Sequence, residues 1–451
     1  MRTSIFQRAV AILAMTVPAL ARAGEPVRIA DTSDPVLERL VSEALHENPD
    51  TRSAEASAEA ARFRIVPART LPDPFLSFNY QNDGKGFSLG EKDMTFLGAT
   101  LSQPLPWPGK LRLAGKIAGS EAKQFESALR GRTGRSVEAR VRRAFSEWKL
   151  ARALVKLVEE RRSASREIES IVRERYSGGL AVQQDLLRAQ VEVLRLDEDA
   201  AIRSAAVAAR LAELDWAVGR PQDSPIEDGK PLELDTEIPD LSRILEVVRA
   251  EHPELVAGEA AIQANHLRVD LAKKNLLPDF VASAGSMYRG GLDPMWQIGL
   301  GISLPIFSGS RQRNQLREAE ANLRAGQAEL LSAGQELEFR TRERYEALQG
   351  VVRGAQIYRD GVIPIDQLSL ESALASYRTG RVPFITVLEA LNALYGDRSS
   401  LLTHLADAQK LRVAIDEADL PTPAPMPRAG TAAVSMSSNV GGPTGSSAPM
   451  R

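Results

Sequence analysis

Tyr176-Ser177-Gly178-Gly179-Leu180 opens a segment that runs on through Asp185, Leu186 and Leu187 to Ala189, and Tyr377-Arg378-Thr379-Gly380-Arg381 opens another that runs on through Val387 and Leu388 to Ala390. Tyrosine, glycine and alanine each recur 201 residues after their first appearance. A Tyr-x-x-Gly turn followed by an apolar helix start, repeated in register across half of the chain, reads as an internal duplication. Each copy stands between two long helix-like stretches. Gly179 and Gly380 are therefore expected to end one helix in a left-handed residue and reverse the chain into an antiparallel partner. Either turn alone would fit an ordinary helix cap in a coiled-coil hairpin; recurrence in register argues for the duplication.

The 451 residues, 43% hydrophobic and 26% charged, suit a folded chain of one large or two ordinary domains. With 57 basic against 59 acidic residues no global field favours nucleic acid. The clusters Arg140, Arg142, Arg143 and Arg161, Arg162, Arg166 read as solvated coil faces. The absence of cysteine excludes disulfides, thiolate metal sites, a cysteine nucleophile and a lipid-carrying N-terminal cysteine. At the N-terminus Arg2 and Arg8 lead an apolar stretch through Ile12, Leu13 and Val17 to Leu20, followed by Ala21-Arg22-Ala23. Residues 1–23 are read as a signal peptide with Gly24 as the mature start. No later run of 18 or more apolar residues is built to cross a bilayer as a helix.

The first repeat is read over 24–218 and the second over 241–418, joined by a Pro- and Asp-rich linker at 219–240, with a Pro-, Gly- and Ser-rich disordered tail at 419–451. Both repeats begin with helical segments, and Asn48-Pro49 is answered by His252-Pro253. Alternation predicts strands over 75–81, 94–103, 280–288 and 296–304. The last is the cleanest: Trp296, Ile298, Leu300, Ile302 and Leu304 alternate with Gln297, Gly299, Gly301 and Ser303. A polar loop is expected over 82–93, and another around Gly290, Gly291 and Pro294. Pro104 is expected to close the first hairpin by withholding a ladder donor. The exits Pro104-Leu105-Pro106-Trp107-Pro108-Gly109-Lys110 and Pro305-Ile306-Phe307-Ser308-Gly309 lead into coiled-coil hairpins over 110–218 and 310–418. In the first, Val137, Val141, Ala144, Trp148, Ala151, Val155 and Val158 form a heptad seam. In the second, Gly350, Gly354, Gly361 and Pro364 are expected to interrupt the long helix.

One apolar and one small or polar face over about ten residues matches a transmembrane barrel strand, although a soluble hairpin on a core has the same pattern. Four strands cannot close a barrel, and an open edge in lipid would leave backbone groups unpaired. Two, three or four copies would each give an even-numbered barrel, and the residues do not choose among them.

Helix, strand, strand, long helix, Tyr-x-x-Gly turn and return helix, twice, behind a signal peptide, resembles the outer-membrane efflux protein family, the TolC-like proteins. The phrases Leu71-Pro72-Asp73-Pro74-Phe75 and Gln103 through Lys110 look most like its heavy-metal, CusC- and CzcC-like branch. The resemblance implies an α+β, predominantly α fold. A homotrimer would form one outer-membrane β-barrel with four strands per protomer, continued by a long periplasmic α-helical barrel. It implies outer-membrane lipid, a periplasmic adaptor (membrane fusion) protein and an inner-membrane pump of the RND type as partners, no nucleic acid, and export of metal ions or small toxic compounds from a Gram-negative cell. Adaptor docking falls on Gly179, Leu180, Gly380 and Arg381. The periplasmic gate falls on Tyr377, Thr386 and Glu389, where Thr386 departs from the acidic residue that the pattern carries.

No catalytic constellation, phosphate loop or cofactor motif is present, so no enzyme activity and no cofactor are expected. The histidines His46, His252, His266 and His404 have no ligand spacing. Two other readings stay open on the residues alone: a periplasmic coiled-coil adaptor or structural protein, and an exit duct for type I protein secretion.

Overall fold

In the computed structural model the described residues are 34–89 and 92–417; the residues read as signal peptide and tail lie outside them. Helices α1 (Pro35–Glu47) and α2 (Pro49–Phe63) meet at Asn48, which caps α2 by accepting from the Asp50 N–H at 2.9 Å and donates to the Ala217 carbonyl at 2.9 Å. The second repeat turns the same corner: α7 (Leu241–Glu251) gives way to α8 (Pro253–Lys274) at His252, whose Nδ1 accepts from the Glu254 N–H. In both, proline at the first helical position needs no donor. A short α3 (Ile65–Arg69) leads from α2 toward the sheet.

β1 (Phe75–Gln81), β2 (Phe96–Leu105), β3 (Asp279–Arg289) and β4 (Leu292–Ser303) form one antiparallel sheet in chain order. The register aligns Leu76, Leu101, Ala284 and Ile298 across all four strands, and Phe78, Ala99, Ser286 and Trp296 beside them. This face carries large apolar side chains and has no covering layer among the described residues: Trp296 is 76% and Ile298 78% exposed. The opposite face aligns Ser77, Thr100, Gly285 and Gln297, where Gln297 Nε2 donates to Thr100 Oγ1 at 3.3 Å. Glycine makes room there, since a Cβ on Gly98 would lie 2.5 Å from Asn79 Oδ1. Apolar outside and polar inside is the division a lipid-facing barrel wall requires. Among the described residues, β1 and β4 each have one edge with no strand beside it.

The limits of three strands differ from the sequence reading: β2 starts and ends two residues later, β3 gains one residue at each end, and β4 starts four residues earlier and ends one earlier. β2 runs two residues further, through Pro104 opposite Val281. β1 stops pairing at Phe75 opposite Ser102, so Pro104 stands where β2 has an open side and the missing donor disrupts nothing. β3 and β4 join through a tight turn at Gly290-Gly291 instead of a long loop; Gly290 is left-handed at φ 64°. Pro294 lies inside β4 at a register shift between Met287 and Arg289, an irregularity that spares its absent N–H.

At the sheet's lower rim, Asp279 fixes the exit from β2. Its Oδ1 accepts from the Trp107 N–H at 2.7 Å and from the Lys110 ammonium at 2.8 Å, and the Trp107 ring stacks on Phe280 with centroids 5.7 Å apart. Lys110 then begins α4 (Lys110–Phe125), which continues through a π turn at Glu126–Gly131 into α5 (Arg132–Ser177). α5 has 46 residues and spans about 70 Å. The chain returns in α6 (Gln183–Val218). In the second repeat α9 (Gln312–Ile357), a π turn at Tyr358–Val362 and α10 (Ile363–Arg378) descend, and α11 (Phe384–Glu417) returns.

Gly350 and Gly354 do not interrupt α9, which runs unbroken from Gln312 to Ile357. The break falls at Gly361 and Pro364, where the helix widens by a π turn before a residue that cannot donate. α5 packs on α6 and α11, and α11 on α9 and α10, so α6 and α9–α10 are the outer members of the helical layer. Of the two arginine clusters, the second keeps Arg166 exposed, while Arg161 and Arg162 are half-buried and pair with Glu192 and Asp197 of α6; the first is not a solvated face. Arg142 is buried and pairs with Glu38 at 2.8 Å and Glu138 at 3.0 Å, Arg140 lies over Trp216 and pairs with Asp50, and Arg143 pairs with Glu417. They tie α5 to α1, α2, α6 and the end of α11. Among the described residues no helix is long and apolar enough to cross a membrane.

Candidate functional site

The two Tyr-x-x-Gly turns end the two long hairpins side by side, each built by the same hydrogen bonds. The Leu180 N–H donates to the Arg175 carbonyl at 2.8 Å and the Gly179 N–H to Tyr176 at 3.0 Å; Arg381 donates to Ser376 at 2.9 Å and Gly380 to Tyr377 at 2.9 Å. This is the Schellman arrangement, which needs a left-handed residue. Gly179 and Gly380 supply it with φ of 69° and 74°. The next turn matches too: Asp185 donates its N–H to Val182 at 3.0 Å and Thr386 donates its own to Pro383 at 3.2 Å.

Gly179, Leu180, Gly380 and Arg381 are all exposed, with Leu180 projecting an uncovered apolar side chain. A Cβ on Gly179 would meet nothing within 4 Å. The docking candidates thus form one open surface of two apposed turns. Glu389 is exposed on α11 and Thr386 half-buried one turn nearer the tip. Tyr377 is only 3% exposed, packed among Phe384, Val387 and Val172 at the base of the tips. Burial raises its pKa, the Asp185 carboxylate raises it further, and Arg175 opposes both.

Arg175 is the residue that sequence reasoning missed. Its guanidinium donates to the Leu180 carbonyl at 2.9 Å within its own turn and to the Arg378 carbonyl in the other repeat, and it lies 4.8 Å from the centroid of the Tyr377 ring. One side chain therefore clamps the two hairpin ends together. Nothing in the sequence singles it out among 57 basic residues. Asp185 was legible: it occupies, in the first repeat, the position matched by Thr386 in the second. The tip keeps one carboxylate of that pair, on the first hairpin.

A four-stranded segment of wall, apolar outside and polar inside, continued by a duplicated pair of helical rods with exposed tips, defines one subunit of a membrane-anchored duct. The Outer membrane efflux protein family model matches twice, over residues 40–220 and 244–419, and the chain belongs to that family. It is 24% identical over 403 residues to the probable outer membrane lipoprotein SilC of Salmonella typhimurium, covering 82% of each chain. The fold is that of the outer membrane protein VceC from Vibrio cholerae, with a TM-score of 0.72, 18% identity, and coverage of 85% of this chain and 96% of that one. CusC superposes with a TM-score of 0.69 at 20% identity, covering 92% and 98%. This chain is accordingly an outer-membrane efflux channel protein that extends into the periplasm of a Gram-negative cell. Members of the family are channels and not enzymes, and they work with an adaptor and an inner-membrane pump.

Proposed function

We propose that three copies close into one duct that passively conducts metal ions or small toxic compounds delivered by an RND-type pump through a periplasmic adaptor. The observation that carries this reading is the pair of matched, exposed Schellman tips at the free end of the rods. Two apposed turns with glycine at each apex present backbone and the Leu180 and Arg381 side chains without obstruction, a shape into which the end of a partner's helical hairpin fits. Self-closure is supported by the two unpaired sheet edges. It is also supported by the apolar side chains left open on the outer helices, Leu187, Leu194 and Ile202 on α6 and Ile365 and Leu368 on α10.

In such a ring every residue recurs once per copy. Glu389 then becomes a ring of negative charge at the narrow end, favouring cations. Half-buried Thr386 lies one turn nearer the tip with Tyr377 packed in the core behind it, and the gate opens when the two repeats separate at their tips.

Valine at Gly179 or Gly380 would force a β-branched residue into the left-handed region, at a cost of about 1–2 kcal/mol. Gly179→Val and Gly380→Val are expected to abolish export in cells while native mass and membrane fractionation stay those of the parent. Loss of the assembled oligomer in both variants would instead make the turns folding elements and remove the docking reading.

A further inference from the structure

The junction that fixes the β2 exit has a second, incomplete edition. In the complete one, Leu277-Pro278-Asp279 leads into β3, and Asp279 receives the Trp107 N–H and the Lys110 ammonium from the exit of the adjacent strand β2. The duplicate of that lead-in is Leu71-Pro72-Asp73, ahead of β1. The duplicate of that exit is Leu304-Pro305, then Phe307, Gly309 and Arg311, after β4. The backbones match as well: Lys110 donates its N–H to the Trp107 carbonyl at 3.0 Å, and Ser310 donates its own to Phe307 at 3.1 Å; Ser310 thus holds the backbone place of Lys110, and the cation stands one residue later, at Arg311, whose N–H also reaches Phe307 at 2.9 Å.

Every component of the duplicate is open. Asp73 and Arg311 are exposed, and neither side chain has an ionic or hydrogen-bond partner among the described residues. The Phe307 N–H, counterpart of the donor at Trp107, also lacks an acceptor among them. Phe75 and Phe307 are 67% and 70% exposed. The reason is topological. Asp279 and Lys110 flank neighbouring strands, whereas Asp73 belongs to β1 and Arg311 to β4, the two edges of the sheet. Within one copy they cannot meet as neighbours; between copies they can, because β4 of one chain beside β1 of the next restores the order of β2 beside β3.

We infer that Asp73 of one copy accepts from the Phe307 N–H and the Arg311 guanidinium of the adjacent copy, with the Phe307 ring packing on the Pro74-Phe75 segment, so that the pin holding the two repeats together inside a chain is reused to hold chains together. The inference rests on the proposed closure of several copies into one barrel and supplies the residues of its rim contact. The occupant of this surface is a second copy of this chain: the missing acid and the missing base are each presented at the edge where the other would arrive.

The absence of native cysteine allows a direct test in the full-length protein. In Asp73→Cys/Arg311→Cys, a short bis-maleimide reagent is expected to give a ladder of covalent multimers on denaturing gels. The single-cysteine variants should remain monomeric, and Lys110→Cys/Asp279→Cys should link only within one chain. Charge reversal provides a second readout: Asp73→Arg and Arg311→Asp should each lower the temperature at which the detergent-solubilised oligomer dissociates, and the double reversal should recover most of that loss. A parent-like oligomer by native mass with no ladder from the 73/311 pair and no effect of reversal overturns the pin while leaving barrel closure intact. A parent protein that is monomeric by native mass overturns both.

Discussion

Asp366, in the first turn of α10, faces Asp397 of α11, and burial together with the second carboxyl raises its pKa from the ordinary aspartate value. A group whose folded pKa is raised keeps a proton that the unfolded chain has already released. Its stabilising effect is then present at low pH and is lost as pH rises from the unfolded value through the folded one. Asp366→Asn removes the like-charge contact beside the π turn. It is expected to raise the unfolding temperature at neutral pH and to flatten the acid side of the stability profile; melts across about pH 4–8 check this, and an unchanged or lower neutral-pH value contradicts it. Glu389 carries a different weight because it is exposed and, in a closed ring, repeated. Glu389→Ala is expected to reduce the cation preference of reconstituted channels several-fold, measured as a reversal-potential shift in a salt gradient; identical potentials would take Glu389 out of the conducting path.

At the scale of elements, the tips depend on Arg175 bridging the two hairpins. A charge-assisted hydrogen bond of this kind contributes about 1.5–3 kcal/mol, and Arg175 makes one to each turn while covering the Tyr377 ring. Arg175→Ala should let the tips part. The expected result is a higher resting conductance of reconstituted channels with an unchanged oligomer mass; a conductance equal to the parent's would show that the clamp does not hold the gate. Elements were also where the sequence spoke most unevenly. The alternation from Trp296 to Leu304 announced β4 because each side chain reports its own face, and the two Tyr-x-x-Gly turns announced themselves by register. Pro104 and Pro294 misled because a missing N–H matters only where a neighbouring strand needs it, and the strand edges are set by pairing, not by the residue. Gly350 and Gly354 misled because α9 packs on α11 through the neighbouring Leu348 and Val352, which keeps it helical where local propensity is low. Arg142 looked like a solvated charge because the carboxylate beside it, Glu38, is distant in sequence. The clamp at Arg175 depends on contact between two repeats 201 residues apart, which no local pattern encodes.

For the whole molecule, the duplication explains why one copy is left open at both ends. Two repeats joined in chain order satisfy β2 against β3 and α5 against α11, and leave β1, β4, α6 and α9–α10 facing outward with apolar or unpaired groups. In lipid, an unpaired edge costs several kcal/mol per backbone group, so a lone copy cannot occupy a bilayer in this form. The most direct test is membrane fractionation of the full-length protein followed by native mass determination in detergent. Recovery in the outer membrane as a trimer, twelve strands in one wall, is the predicted result. A monomer or dimer recovered from the soluble periplasmic fraction would contradict it.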